Sequence, residues 1–128
     1  MFTKSGLAAV NTPTLVIGGS EDDVSNYEDG IRWIFNQLTG TQRYLLTYEN
    51  ARHNIAGNAF DLDENAPFRV AEFLNEPVWR QERINAINEH FVTAFLDWHV
   101  KGEADKASYL NVPQERASDS EWLSLIHI

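Results

Sequence analysis

Pro13-Thr14-Leu15-Val16-Ile17-Gly18-Gly19-Ser20-Glu21-Asp22-Asp23 decides how this chain folds. Its first half is an apolar, partly β-branched run with no alternating polar residues, the pattern of a strand covered on both faces in a parallel sheet. Gly18 and Gly19 free the backbone to turn, and the acidic cluster Glu21-Asp22-Asp23 falls in that turn. Ahead of Pro13 lie Lys4 and the mild stretch Gly6-Leu7-Ala8-Ala9-Val10. Asn11 and Pro13 interrupt this stretch too early for a signal sequence, so Leu7 to Val10 is expected to lead into the strand.

On the other side of the turn, Ser25 and Glu28 form an S-x-x-E capping box, which predicts a helix from about Asn26. Tyr27, Ile31, Ile34, Phe35 and Leu38 then give one apolar stripe, and Gly40 is a stop. Arg43-Tyr44-Leu45-Leu46-Thr47-Tyr48 reads as a second strand. Strand, helix and strand joined by short loops predict a right-handed βαβ crossover between parallel strands. His53 lies in the loop after the second strand, so it and the acidic turn should emerge at the carboxyl edge of the sheet, where open α/β sheets bind ligands.

An acid followed by a histidine, each just past a strand, fits the Ser…Asp…His chain order of one hydrolase architecture. A carboxylate holds the histidine in one tautomer and stabilises the imidazolium, and the histidine takes a proton from a nucleophile. Asp22 is the better acid because it stands in a Gly-x-x-Asp turn after Gly19, while Asp23 is expected to serve the helix start and Glu21 to be solvated. The competing reading is that the acids favour a helix N-terminus through its dipole and the histidine is merely solvated. The sequence carries no Gly-x-Ser-x-Gly elbow. Its nearest approach, Gly18-Gly19-Ser20-Glu21-Asp22, has Asp22 where the second glycine belongs, so these 128 residues alone are expected not to turn over.

From Asn54 to Pro77 the pattern is irregular around a short predicted helix at Phe68 to Leu74. Asp61-x-Asp63-x-Asn65 with Glu72 imitates a calcium loop, but Ala66 occupies the glycine position of the sharp turn, so a solvated acidic loop is expected. A long helix follows from about Val78 to His99, with Ile84, Ile87, Phe91, Ala94, Phe95 and Trp98 on one face and Gly102 at its end. His90 on this helix reads as a structural residue, and Trp79 as core or pocket wall. The tail from Ser118 to Ile128 shows no periodicity.

The length bounds the chain to one domain or part of one. The net charge of −9 opposes the polyphosphate field that dominates nucleic-acid affinity, so nucleic acid is excluded as a partner. No apolar run approaches the roughly 20 residues that span a bilayer, so no membrane partner is expected. The absence of cysteine removes disulfides, a thiol nucleophile and thiolate metal sites. Two parallel strands ordinarily need neighbours and cover on both faces, so more of the sheet is expected, with a strand before Thr14 as the natural place for it.

Thr12 to Asp23 resembles the penultimate strand and acid turn of α/β-hydrolases, and Tyr44-Leu45-Leu46-Thr47-Tyr48-Glu49-Asn50-Ala51-Arg52-His53-Asn54 resembles their last strand and histidine loop. Within that fold the wording is most similar to dienelactone-hydrolase-like proteins. Asn88-Glu89-His90-Phe91-Val92-Thr93-Ala94-Phe95-Leu96 and Tyr109-Leu110 are similar to the C-terminal helix region of the same group. The resemblance spans Leu7 to Pro113. It implies an α/β fold class: the C-terminal fragment of an α/β-hydrolase, with the last two parallel strands, the crossover helix and the long C-terminal helix.

By that resemblance residues 1–113 form a partial hydrolase domain, and residues 114–128 a tail unlike the family's continuation. Asp22 would be the triad acid and His53 the triad base, with the serine and oxyanion-hole loop in a segment preceding Leu7. The implied substrate is a small ester or lactone, with no metal or organic cofactor. The alternative is a non-catalytic binding or assembly module that uses an exposed sheet edge near Leu15 to Ile17.

Overall fold

Both apolar runs form strands, and they pair in parallel. The computed structural model describes residues 2–57, 67–111 and 123–127. Helix α1 (Lys4–Ala8) precedes strand β1 (Thr14–Gly19), and a π-helical turn (Tyr27–Arg32) runs into α2 (Trp33–Gln37). Strand β2 (Arg43–Tyr48), helices α3 (Phe68–Leu74) and α4 (Gln81–His99), a 3₁₀ helix (Ala104–Leu110) and strand β3 (Leu123–His127) follow. The sheet order is β1-β2-β3. Leu15 stands opposite Tyr44 and Gly19 opposite Tyr48, while β3 runs antiparallel along the other edge of β2 with Leu125 opposite Leu46.

Central position explains why β2 carries an unbroken apolar run: Tyr44, Leu45, Leu46, Thr47 and Tyr48 are all buried. The two-residue period sends Tyr44, Leu46 and Tyr48 to one face. There, with Leu15 and Ile17 of β1, they pack in one cluster with Ile84, Ile87, Phe91, Ala94, Phe95 and Trp98 of α4. On the opposite face Thr47 meets Tyr27, hydroxyl to hydroxyl at 2.8 Å. Gly18 lies so near Ile31 that a Cβ would stand 2.8 Å from its Cγ2, so the crossover helix packs closely on the sheet because residue 18 has no side chain.

Two local expectations give way. Residues expected to lead into β1 instead close helix α1, whose first turn is capped by Thr3, with Oγ1 accepting the Gly6 N–H at 3.1 Å. The Ser25–Glu28 box does not form, because the Ser25 N–H is already committed to Asp22 and Glu28 pairs with Arg32 at 3.0 Å. Asn26 caps the helix in its place. It sits at φ 58°, its Oδ1 accepts the Asp29 N–H at 2.9 Å, and its carbonyl accepts the Ile31 N–H at 3.0 Å, which winds the first turn as a π turn. A side chain at Gly30 would strike the Ser25 carbonyl oxygen, so this turn requires glycine there.

Helix α3 stands where predicted, and α4 begins at Gln81, after an extended Arg80, rather than at Val78. His90 has the structural role expected of it: Nε2 donates to the Tyr109 carbonyl at 3.0 Å. Trp79 is a core residue, buried with its indole N–H on the Glu49 carbonyl at 2.9 Å. Strand β3 falls in the tail, where the sequence shows no period. Asp61, Asp63 and Asn65 of the calcium-like pattern lie outside the described residues. No helix among the described residues is long and apolar enough to cross a membrane.

Candidate acid and histidine site at the carboxyl edge of the sheet

Parallel pairing ends both strands at the same edge, so the loops after Gly19 and Tyr48 leave the sheet side by side. They are stitched together by backbone: the Ser20 N–H donates to the Tyr48 carbonyl at 3.0 Å, and the Glu21 N–H to the Ala51 carbonyl at 2.9 Å. Ser20 Oγ accepts the Asn50 N–H at 2.8 Å. A Cβ at residue 19 would run into the carbonyl oxygens of Ala51 and Arg52, so Gly19 is what lets the two loops touch.

This stitching brings Asp22 to His53. Asp22 Oδ2 lies 2.9 Å from His53 Nδ1, while Oδ1 accepts the N–H groups of Val24 at 2.9 Å and Ser25 at 2.8 Å. Asp22 is 6% exposed. Burial works against its ionisation, but the hydrogen bonds from His53 and from the Ser25 and Val24 amides, with attraction to His53, outweigh it and hold the pKa below the ordinary 3.8. Asp22 is therefore an ionised acceptor at neutral pH, which assigns the His53 proton to Nδ1.

His53 faces outward, its side chain 39% exposed, and among the described residues Nε2 makes no hydrogen bond. In the neutral imidazole that nitrogen presents a lone pair, the arrangement a general base requires. Ser25 Oγ lies 3.4 Å from Nδ1 rather than near Nε2. Since Nδ1 gives its proton to Asp22, it has no lone pair with which to activate that hydroxyl. Ser25 is thus a neighbour of the pair and is not placed as its nucleophile.

Asp23 does not serve the helix start; it pairs with Arg52 across the two loops at 2.7 Å, a contact that lowers its own pKa. Glu21 is exposed, as the sequence implied. Ser25, expected to open a capping box, instead serves the pair through its amide, and two further residues were not singled out from sequence: Arg52, and Glu76, whose Oε2 accepts the Arg52 N–H at 2.7 Å. No motif marks them, because each acts through a backbone group or across a long stretch of chain. A polar recess of 440 Å³ lined by Ser20, Glu21, Tyr27, Thr47, Glu49 and Asn50 among others lies beside the acid loop, but His53 is not in its lining. Among the described residues no group of three histidine or acidic side chains could hold a metal ion. No protein-family model matches this chain, and no curated protein matches it.

Proposed function

We propose that this chain is the C-terminal part of an α/β-hydrolase similar to dienelactone-hydrolase-like proteins, supplying the acid and the histidine of a serine hydrolase that cleaves a small ester or lactone. The observation that carries the proposal is the 2.9 Å contact of Asp22 Oδ2 with His53 Nδ1 across the carboxyl ends of two parallel strands, with no hydrogen bond to Nε2 among the described residues. The burial and triple hydrogen bonding of Asp22 favour this over a solvated loop acid.

In the proposed reaction a serine outside this sequence attacks the ester carbonyl while its proton passes to His53 Nε2. Asp22 stabilises the imidazolium, and His53 returns the proton to the leaving alkoxide as the acyl-enzyme forms. Water then attacks the acyl-enzyme with His53 again as base, releasing the acid and restoring the serine. Neither step asks for a metal or an organic cofactor.

The test is to express the complete reading frame that encodes these residues and follow hydrolysis of a chromogenic short-chain ester. By analogy with serine hydrolases, Asp22→Asn is expected to lower kcat about 10⁴-fold and His53→Ala by up to about 10⁶-fold. Unchanged rates in both variants sink the assignment. The second reading, a non-catalytic assembly module, draws on the outer edge of β1, which has no strand partner among the described residues. An unrelated domain in place of a Gly-x-Ser-x-Gly elbow upstream would favour it.

A further inference from the structure

We infer that Glu76 is a positioning residue for His53, acting through the backbone of Arg52; the inference rests on the acid and histidine reading above and deepens it. Glu76 lies between α3 and α4, far along the chain from the histidine loop. Its two oxygens divide their work. Oε1 accepts the Val78 N–H at 3.0 Å, which ties the side chain to its own segment across the rigid Pro77. Oε2 is thereby aimed at the histidine loop and accepts the Arg52 N–H at 2.7 Å, a short, charge-assisted bond.

That amide belongs to the residue immediately before His53. Three residues after Glu76, Trp79 holds the other end of the same stretch: its indole N–H donates to the Glu49 carbonyl at 2.9 Å and its ring packs edge-on against Tyr48 with centroids 5.1 Å apart. The segment 76–79 therefore grips residues 49 and 52 from the α4 side. From the opposite side, the acid loop grips residues 50, 51 and 52 through Ser20, Glu21 and Asp23. The acid-loop contacts set where the two loops stand relative to each other. The Glu76 contact orients the peptide that leads into His53.

The Asp22 to Nδ1 hydrogen bond is sensitive to that orientation, because at 2.9 Å a displacement of about 1 Å takes it out of range, and misplacements of that size cost catalytic groups about 10²-fold. Glu76 itself touches neither ring nor carboxylate of the pair in the contacts described. Its effect on His53 passes entirely through the Arg52 amide, so it should be read out at the ring nitrogens.

The experiment uses the 128-residue chain labelled with ¹⁵N, in which two-bond ¹H–¹⁵N spectra report which nitrogen of His53 carries the proton. The unsubstituted chain is expected to show the Nδ1–H tautomer, and Asp22→Asn to lose it. Glu76→Ala is expected to shift His53 toward Nε2–H, roughly halving the Nδ1–H share, with Glu76→Gln, which keeps one acceptor oxygen, shifting it less. A merely structural role would lower the melting temperature without moving the tautomer. If Glu76→Ala does not fold, Glu76→Gln decides, and an unmoved tautomer in a folded variant overturns the inference while leaving the Asp22–His53 pair intact. A tautomer that Asp22→Asn also fails to move overturns the pair, and the role of Glu76 with it.

Discussion

Asp22 shows how one residue resolves opposed forces. Burial disfavours its charge, while His53 and two backbone amides favour it more, so the folded carboxyl titrates below its ordinary 3.8. The consequence for stability has a definite sign. A carboxyl whose pKa is lower in the folded than in the unfolded chain contributes its full stabilisation above the unfolded value, and loses it as the pH falls toward and through the folded value. Asp22→Asn should therefore flatten the acid limb of the stability curve below about pH 4, since the variant has no such proton to take up. Guanidinium unfolding measured stepwise from pH 6 downward checks this, and an acid limb as steep in the variant as in the parent would contradict the geometry. The contact of Asp22 rather than Asp23 with His53 was legible in the Gly-x-x-Asp spacing, which follows from the turn at Gly19. The partners of Asp23 and Glu76 were not legible, because an ion pair across two loops and an amide 24 positions away leave no local pattern.

Elements were legible where burial imposes a period and illegible where a side chain competes for the backbone. Strand β2 and helix α4 follow the sequence pattern because each buries one side or both in the same core. The start of the crossover helix departs from it because Asp22 captures the Ser25 amide, which leaves Asn26 to cap a π turn. Strand β3 gives no signal because it is held by backbone pairing along β2, which any sequence compatible with an extended chain satisfies. The join between β2 and α4 is polar at one point: the Tyr48 hydroxyl donates to Asn88 Oδ1 at 2.8 Å, with the Ile84 carbonyl at 3.3 Å, and Asn88 Nδ2 donates to the Ile55 carbonyl at 2.8 Å. Burial of the ring raises the pKa of that hydroxyl, so it remains a donor throughout the ordinary pH range. Tyr48→Phe keeps the ring in its pocket but leaves Asn88 Oδ1 without this donor, at a cost of about 1–3 kcal/mol. Urea unfolding of the two proteins measures the difference, and equal midpoints would mean that Asn88 finds another donor at no cost.

At the scale of the whole molecule, β2 is the flanked central strand, and β1 and β3 are the edge strands of the sheet among the described residues. The outer side of β1 has no strand partner among the described residues. On the other side β3 pairs along β2, whose Tyr44, Leu45, Leu46 and Tyr48 are fully buried. The net charge of −9 opposes self-association at long range, but open strand edges template it at contact distance. Removing residues 112–128 takes away β3 and turns the buried central strand β2 into an edge strand. The shortened chain is therefore expected to melt at a lower temperature and to sediment as larger species with rising concentration, while the 128-residue chain associates less at the same concentration. Sedimentation velocity and thermal unfolding followed side by side decide the matter. If both chains melt together and sediment alike, β3 does not cover β2 in solution, and the burial of β2 must come from the α4 and α2 sides alone.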